Sequence, residues 1–274
     1  MSAARDKANR RISSLKSLLC VGLDTDPEKL PSVFSRFSNP VLEFNRSVIR
    51  ATRDYAAAYK INTAFYEARG IEGFRDMEAT LMEIPSECLS IADAKRADIG
   101  NTSRMYARAF FEHWAFDSVT VAPYMGHDSL EPFFSYSDKL VFVLCLTSNA
   151  GSMDFEEQQL VEGLPLYRRV LERVAVWGAG GNGGVVVGAT KSALLADIRK
   201  DAPGLFFLIP GVGAQGGSLE EAVDLGVDAN RQGALVNISR SLIYPSGDFR
   251  DVAAYEAAVS MEAGRVHAAM RSAL

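Results

Sequence analysis

The sequence predicts a closed (β/α)8 barrel formed by the whole chain, residues 1–274, as one domain. Eight short apolar runs recur along the chain, and segments with a helical spacing of apolar residues separate them. Uninterrupted apolar strands are typical of a parallel sheet that helices cover on both faces. Eight strand–helix units in 274 residues favour closure into a barrel over an open doubly wound sheet, which is the alternative.

The predicted strands are rich in leucine, valine and isoleucine, as expected for strands that are buried on both faces. They span residues 18–23, 56–61, 88–92, 118–122, 140–146, 184–188, 205–209 and 234–238. The glycine-rich segment GAGGNGG at residues 178–184 predicts a flexible loop before the sixth strand.

Helical stripes between these runs predict amphipathic helices. Two clear stripes consist of Val41, Phe44, Val48 and Ile49, and of Leu160, Leu164, Tyr167, Val170, Leu171 and Val174. Residues 1–17 are rich in Arg, Lys and Ser but contain Asp6, so we expect a first surface helix rather than a transit peptide.

Composition and charge exclude several kinds of partner. The net charge is −5 at pH 7 and the pI is about 5.4, so the chain has no basic footprint for nucleic acid. Its apolar runs are far shorter than the roughly 20 residues that cross a bilayer, and we expect no membrane segment. Any anionic ligand therefore needs a local site.

Cysteine and histidine spacing predicts no metal site. The three cysteines lie in or beside apolar runs and are expected to be buried thiols in a reducing, cytoplasmic compartment. The cysteines are Cys20, Cys88 and Cys145. The three histidines, to which we assign no role, are scattered along the chain at His113, His127 and His267.

The carboxyl ends of the strands are the expected place for chemistry, because active sites of such barrels lie there. Polar and charged residues cluster where the apolar runs stop. They include Asp24, Lys60, Asn62, Asp93, Lys95, Thr147, Ser148, Asn149, Ser239 and Arg240.

The segment IADAKRADIGNT at residues 91–102 is the strongest candidate for catalysis. Asp93 and Lys95 are two residues apart in extended backbone and so face the same side. Lys60 ends another strand, and Asp98 follows one turn on. Such charges need pairing in an apolar barrel mouth, and pairing keeps a lysine protonated for proton donation or carbanion stabilisation. Taken alone, the segment also fits a solvated charged turn; its position at a strand end favours the site.

The glycine-rich segment IPGVGAQGG at residues 209–217 predicts a phosphate-binding turn. Glycines let backbone N–H groups approach an anion, and a helix N-terminus favours negative charge. Ser218 and Glu221 have the spacing of a capping box for the following helix. The segment also fits an ordinary tight turn, but Arg240 at the eighth strand end supports a phosphate site.

Two other strand ends carry polar groups suited to contacts with a ligand. Thr147, Ser148 and Asn149 offer hydroxyl and amide groups for the edge of a heterocycle, or act only as caps. Asp24 suits hydrogen bonds from sugar hydroxyls, or caps the next helix.

Together these segments resemble the motifs of the orotidine 5'-monophosphate decarboxylase family, in its order and over nearly the whole chain. The segments that begin at Leu19 and at Ile91 are most similar to the subgroup of this family with longer chains. The segments are LCVGLDTDP (20–27 with the preceding Leu19), AYKINTAFYEARG (58–70), IADAKRADIGNTS (91–103), TSNAGS (147–152), PGVGAQGG (210–217) and NISRSLIYP (237–245). Ala150 and Ser239 depart from the family pattern, and Ser239 puts a backbone contact to phosphate in doubt.

The resemblance implies the cofactor-free decarboxylation of orotidine 5'-monophosphate to uridine 5'-monophosphate (UMP) and CO2, the last step of de novo pyrimidine nucleotide synthesis. It implies that Lys95 protonates C6 of the pyrimidine and that Asp93 lies beside the departing carboxylate. Lys60 would hold Asp93 and the ribose side in place.

The resemblance also implies a homodimer. Asp98 would reach across the interface into the partner's site, with Ile99 and Thr102 alongside it. The other implied contacts are those of Ser148 with the pyrimidine edge, of Gln215 and Arg240 with the phosphate, and of Asp24 with the ribose.

Two other functions remain open at the level of sequence. A metal-dependent sugar-phosphate decarboxylase or epimerase on the same barrel would need a Mg²⁺ site and no base contact at Ser148. A catalytically silent module that binds a phosphate ligand would not need intact Lys60, Asp93 and Lys95.

Overall fold

The computed structural model describes residues 2–213 and 216–274. Its strands are β1 Leu19–Gly22, β2 Ala58–Asn62, β3 Leu89–Arg96, β4 Ser118–Val121, β5 Leu140–Leu146, β6 Gly183–Val187, β7 Phe206–Ile209 and β8 Ala234–Ile238. All neighbouring strands pair in parallel and in sequence order, and β8 pairs with β1 to close the barrel. Closure confirms the predicted fold class over the open sheet.

Helices surround the strands. They are α1 Ala3–Leu15, α2 Pro40–Thr52, α3 Ala64–Glu67, α4 Gly70–Glu83, α5 Gly100–Arg108, α6 His127–Phe134, α7 Leu166–Trp177, α8 Ser192–Asp201, α9 Leu219–Gly226, α10 Arg240–Ile243 and α11 Val252–Ala273. None of those formed by the described residues is both long and apolar enough to cross a membrane.

Local sequence explains where several helices begin. The Asn39 side chain accepts a hydrogen bond from the N–H of Leu42 and precedes Pro40, which is suited to a first helical position. The Ser218 side chain accepts from the N–H of Glu221 at 3.2 Å, so the cap predicted for the helix after the glycine-rich segment is confirmed.

The first helix forms as predicted, and one of its faces packs against the barrel. α1 lies across the amino end of the barrel, where Ile12 is buried and Arg5 donates to the carbonyl of Gly204, just before β7, at 2.6 Å. Lys7 forms an ion pair of 2.9 Å with Asp117, just before β4. The helix therefore covers this end of the barrel and leaves the carboxyl end accessible.

The second helical stripe begins later than predicted. α7 starts at Leu166, and Leu160 lies in the preceding loop, where its N–H donates to the carbonyl of Leu164 at 2.9 Å. The reason is Pro165, because a proline disfavours the helical conformation for the residue before it. The connection from β5 to α7 is consequently a long loop beside the barrel mouth.

Candidate active site

A cavity of about 300 Å³ opens at the carboxyl end of the barrel. Its walls carry most of the residues that the sequence singled out, and Leu144, Val186 and Leu208 provide an apolar floor. The predicted residues that line it are Asp24, Lys60, Asn62, Asp93, Lys95, Thr147, Ser148, Asn149, Gly211, Ser239 and Arg240.

Four charged side chains form a continuous row in this cavity. The Nζ atom of Lys60 lies 3.3 Å from Oδ1 of Asp24 and 2.9 Å from Oδ2 of Asp93. The other oxygen of Asp93 accepts from Nζ of Lys95 at 2.5 Å. Lys60 is only 4% exposed, whereas the Lys95 side chain is 49% exposed. The row therefore ends in an accessible ammonium group.

Pairing determines the charge states of the two buried members. Burial opposes the charged form of Lys60, but Asp24 and then Asp93 raise the pKa of Lys60 well above its ordinary value. Burial likewise opposes ionisation of Asp93, but Lys60 and then Lys95 hold the pKa of Asp93 well below its ordinary value. Lys60 is therefore a fixed cation and Asp93 a fixed anion near neutral pH.

The end of β3 is irregular where it presents Asp93 and Lys95. The strand runs to Arg96, beyond the predicted end at residue 92, and its register with β4 shifts between Ala92 and Arg96. Lys95 has a left-handed backbone with φ of 49°, which costs energy for a residue with a side chain and occurs at functional sites. The side chains of Asp93 and Lys95 share the cavity as predicted. The alternation of side chains along a regular strand does not predict the bulge between them and β4.

Thr120 on β4 supports that bulge and was not predicted. Its hydroxyl accepts from the backbone N–H of Lys95 at 3.0 Å and donates to Oδ1 of Asp93 at 3.0 Å. Asn237 on β8 is a second unpredicted lining residue; it is 7% exposed and its Oδ1 atom has no hydrogen bond among the described residues. Both are polar residues within apolar runs, and that signal was available in the sequence.

The predicted phosphate side combines the glycine-rich loop with Arg240. Gly211 and Gly213 have φ values of 98° and 77°, so the turn needs glycine there. Arg240 opens α10 and lines the same cavity. Its guanidinium forms no hydrogen bond or ion pair with another side chain in the described part of the chain. Gln215 lies outside the described residues.

Asp98, Ile99 and Thr102 lie apart from this cavity. The Asp98 carboxylate accepts from the N–H of Ile99 at 2.7 Å, and the Asp98 carbonyl accepts from Ser103 Oγ at 2.8 Å. Ile99 is 64% exposed and immediately precedes α5. The structure thus brings together the predicted residues at the strand ends, but it does not bring these three into the cavity of their own chain.

A catalytic metal centre has no ready-made donor set in the described segments, which contain no group of three or more His, Cys, Asp or Glu side chains placed to hold an ion. The Lys60 ammonium group lies between the carboxylates of Asp24 and Asp93 and occupies the position that a cation would take between them. The arrangement is suited to electrostatic stabilisation by two ammonium groups and to proton donation by the exposed one.

Comparison with known proteins gives a consistent result. A family model described as the orotidine 5'-phosphate decarboxylase / HUMPS family matches residues 17–256. The orotidine 5'-phosphate decarboxylase of Christiangramia forsetii is 48% identical over 252 residues, which are 90% of this chain and 92% of that protein.

Solved structures are similar as well. The OMP decarboxylase of Leishmania donovani is 39% identical with a TM-score of 0.80, covering 97% of this chain and 99% of the other. The UMP synthase of the same organism is 39% identical with a TM-score of 0.84, but this chain spans only 57% of it.

The charge row predicts how stability depends on pH. Because folding lowers the pKa of Asp93, its ionised form stabilises the fold above the unfolded pKa of about 3.9, and this contribution is lost as pH falls further. We expect the free energy of unfolding of the wild type to decrease more steeply below about pH 4 than that of Asp93→Asn, which lacks the titrating group. Urea unfolding at several pH values measures this; parallel curves for the two proteins would contradict the assignment.

Proposed function

The chain belongs to the orotidine 5'-phosphate decarboxylase family, and we propose that its barrel cavity performs this decarboxylation by means of the Asp24–Lys60–Asp93–Lys95 row. The reaction converts orotidine 5'-monophosphate to UMP and CO2 in pyrimidine synthesis. The single observation that carries the proposal is the row itself, which ends in the exposed ammonium of Lys95.

The chemistry of the substrate explains why such a row is useful. Loss of CO2 from C6 leaves an electron pair in the plane of the pyrimidine ring, where the ring π system does not delocalise it. The protein must therefore stabilise the developing charge electrostatically. A preorganised ammonium does so without the reorientation that solvent water needs. In our proposal Lys95 stabilises this charge and then transfers a proton from Nζ to C6.

The neighbouring charges have separate roles. Asp93 orients Lys95 through the 2.5 Å contact and lies beside the departing carboxylate of the substrate, where like charge opposes the ground state. Lys60 is too deeply buried and too well paired to serve as the donor. We assign it the positioning of Asp93 and of the ribose side.

The rest of the nucleotide is assigned to the surrounding strand ends. Asp24 binds ribose hydroxyls, and Ser148 contacts the pyrimidine edge. Arg240, the glycine-rich loop and Gln215 bind the phosphate. Support comes from the position of Arg240 across the cavity mouth without a protein partner in the described residues. Binding energy from the remote phosphate then orders the site for reaction.

We also propose a symmetric homodimer in which Asp98, Ile99 and Thr102 enter the partner's site. Two observations support this: the three residues do not line their own cavity, and Ile99 exposes a large apolar side chain. An apolar residue next to a carboxylate at a barrel mouth fits a subunit interface.

Two broader proposals concern the whole protein. The first is that residues 1–274 are a single barrel domain, supported by the packing of α11 against α2 and of α1 against the barrel. The second is a reducing, cytoplasmic compartment, supported by Cys20, Cys88 and Cys145, which are buried free thiols.

The direct test of the reaction is the ultraviolet absorbance of orotidine 5'-monophosphate incubated with the purified protein and excess chelator. We expect the orotate chromophore to disappear at a rate that the chelator does not change. Turnover that stops with chelator and returns with Mg²⁺ would instead favour metal-dependent chemistry, and no turnover under either condition would favour a silent binding module.

The same assay tests the assigned proton donor. We expect Lys95→Ala to lower kcat by several orders of magnitude, because one substitution removes both the proton donor and the fixed positive charge. The exposed position of Lys95 predicts little loss of folding stability, which thermal unfolding would check. A folded variant with nearly wild-type turnover would rule out the mechanism.

Subunit mixing tests the shared site. Lys95→Ala and Asp98→Ala proteins are each expected to be inactive, but a mixed two-fold dimer contains one site with both lesions and one with neither. Random exchange should restore about a quarter of wild-type sites. If activity stays at the average of the two parents after native mass spectrometry has verified exchange, Asp98 acts within its own chain.

A further inference from the structure

The Glu156 carboxylate binds the residue that precedes Ser148, and the mechanism above assigns it no role. Glu156 lies in the loop between β5 and α7 and does not line the catalytic cavity. Its Oε2 accepts from the backbone N–H of Thr147 at 2.7 Å, and its two oxygens lie 2.9 and 3.0 Å from the Thr147 hydroxyl. Thr147 immediately follows β5 and precedes Ser148.

The Glu156 carboxylate has two donors in the described part of the chain, the backbone N–H and the hydroxyl of Thr147. In the described part of the chain Glu156 has no ion pair with a lysine, arginine or histidine, and its side chain is bonded only to Thr147. A hydrogen bond from a backbone N–H to an ionised carboxylate is stronger than one between neutral groups. The half-buried carboxylate of Glu156 therefore has no cation partner among the described residues and binds the backbone N–H of Thr147 instead.

The peptide group that follows is fixed from the other side as well. A side chain on Gly188, at the end of β6, would meet the backbone N and Cα of Ser148 at 2.7 Å, so the two segments are in close contact. The hydroxyl of Thr190 donates to the Ser148 carbonyl at 3.2 Å. Ser148 is thus enclosed between the β6 end and the Thr147 peptide that Glu156 holds.

A second carboxylate fixes the rest of the loop. Glu157 accepts from Lys191 Nζ at 2.6 Å and from Ser152 Oγ at 2.6 Å, and these contacts hold the pKa of Glu157 below its usual value. This connection joins the loop to the segment after β6. Its partners are Ser152 in the same loop and Lys191. Glu156 instead contacts Thr147, the residue before Ser148; the Thr147 hydroxyl also lies 2.7 Å from Oδ1 of Asn149, but Glu156 is the side chain that accepts from the Thr147 backbone N–H.

We propose that Glu156 is a positioning residue that sets the Thr147–Ser148 segment for recognition of the pyrimidine edge. It acts through hydrogen bonds to Thr147 and does not touch the substrate. The inference rests on the proposed function, in which Ser148 contacts the base. It follows that loss of the Glu156 contacts weakens binding of the base portion of a nucleotide and leaves binding of the ribose phosphate portion unchanged.

Two ligands separate these portions. UMP carries the base, the ribose and the phosphate, and ribose 5-phosphate lacks only the base. We therefore choose calorimetric titration of both ligands against the same protein samples. A general loosening of the site would weaken both, whereas a displaced Ser148 segment weakens UMP alone.

The decisive variant is Glu156→Leu, which fills a similar volume but leaves the Thr147 N–H without an acceptor. We expect it to raise the Kd of UMP about tenfold, the effect of one unmade hydrogen bond at a desolvated group. The Kd of ribose 5-phosphate should stay within about twofold, a difference of less than 0.5 kcal/mol.

Conservative variants and a matched control complete the design. Glu156→Gln keeps an acceptor for the Thr147 N–H and adds a donor for its hydroxyl, so we expect nearly wild-type UMP affinity. Glu162→Leu makes the same change at an exposed residue of the same loop and should alter neither ligand. If Glu156→Leu does not fold, Glu156→Asp, whose shorter side chain draws the carboxylate away from the Thr147 N–H, should weaken UMP selectively but less.

The outcomes separate this inference from the proposed function. Equal weakening of both ligands, or of neither, in the folded variant would overturn the positioning role while wild-type turnover still supports decarboxylation. A wild type that binds UMP no more tightly than ribose 5-phosphate would contradict the base contact itself, and the role of Glu156 with it.

Discussion

The buried ammonium of Lys60 is the interaction on which the arrangement of the site depends. A cation that is 4% exposed is costly in a barrel interior unless it is paired. Asp24, just after β1, and Asp93, on β3, provide that pairing from either side of β2. Because Lys60 engages one oxygen of Asp93, the other oxygen is left to orient Lys95. One buried charge therefore fixes both the carboxylate that faces the substrate and the direction of the proton donor.

Barrel topology explains how residues distant in sequence reach this arrangement. The parallel register places Gly22 opposite Lys60 and Asn62 opposite Asp93, so successive strand ends present their charges to one cavity. Closure of β8 onto β1 brings Arg240 to the same mouth. At the opposite end α1 covers the barrel and bonds to the segments that precede the strands. The stability of the fold and the chemistry of the site are thus assigned to opposite ends, as is general for this architecture.

Local pattern was sufficient to predict the barrel and the charge row, because each depends on residue type at a strand end. The position of α1 shows the limit: the sequence predicts a first surface helix, but its contacts with Gly204 and Asp117 are long-range, so the sequence does not indicate which end of the barrel it covers. The apolar stripe predicts that α7 begins near Leu160, but Pro165 disfavours helix for the residue before it, and the helix begins at Leu166. Thr120 was missed because a single polar residue in an apolar run does not reveal its partner, and the bulge at Lys95 that Thr120 supports depends on the register between two strands.

The central claim is that Lys60 and Asp93 act as one unit that orients Lys95. A double-mutant cycle on kcat, with Lys60→Met, Asp93→Asn and the double variant, tests it most directly. The account predicts strong non-additivity, with the double variant losing no more than about tenfold beyond the more damaged single variant, because each single change already disrupts the unit. If the loss in the double variant equals the product of the two single losses, the residues act independently and the account is contradicted.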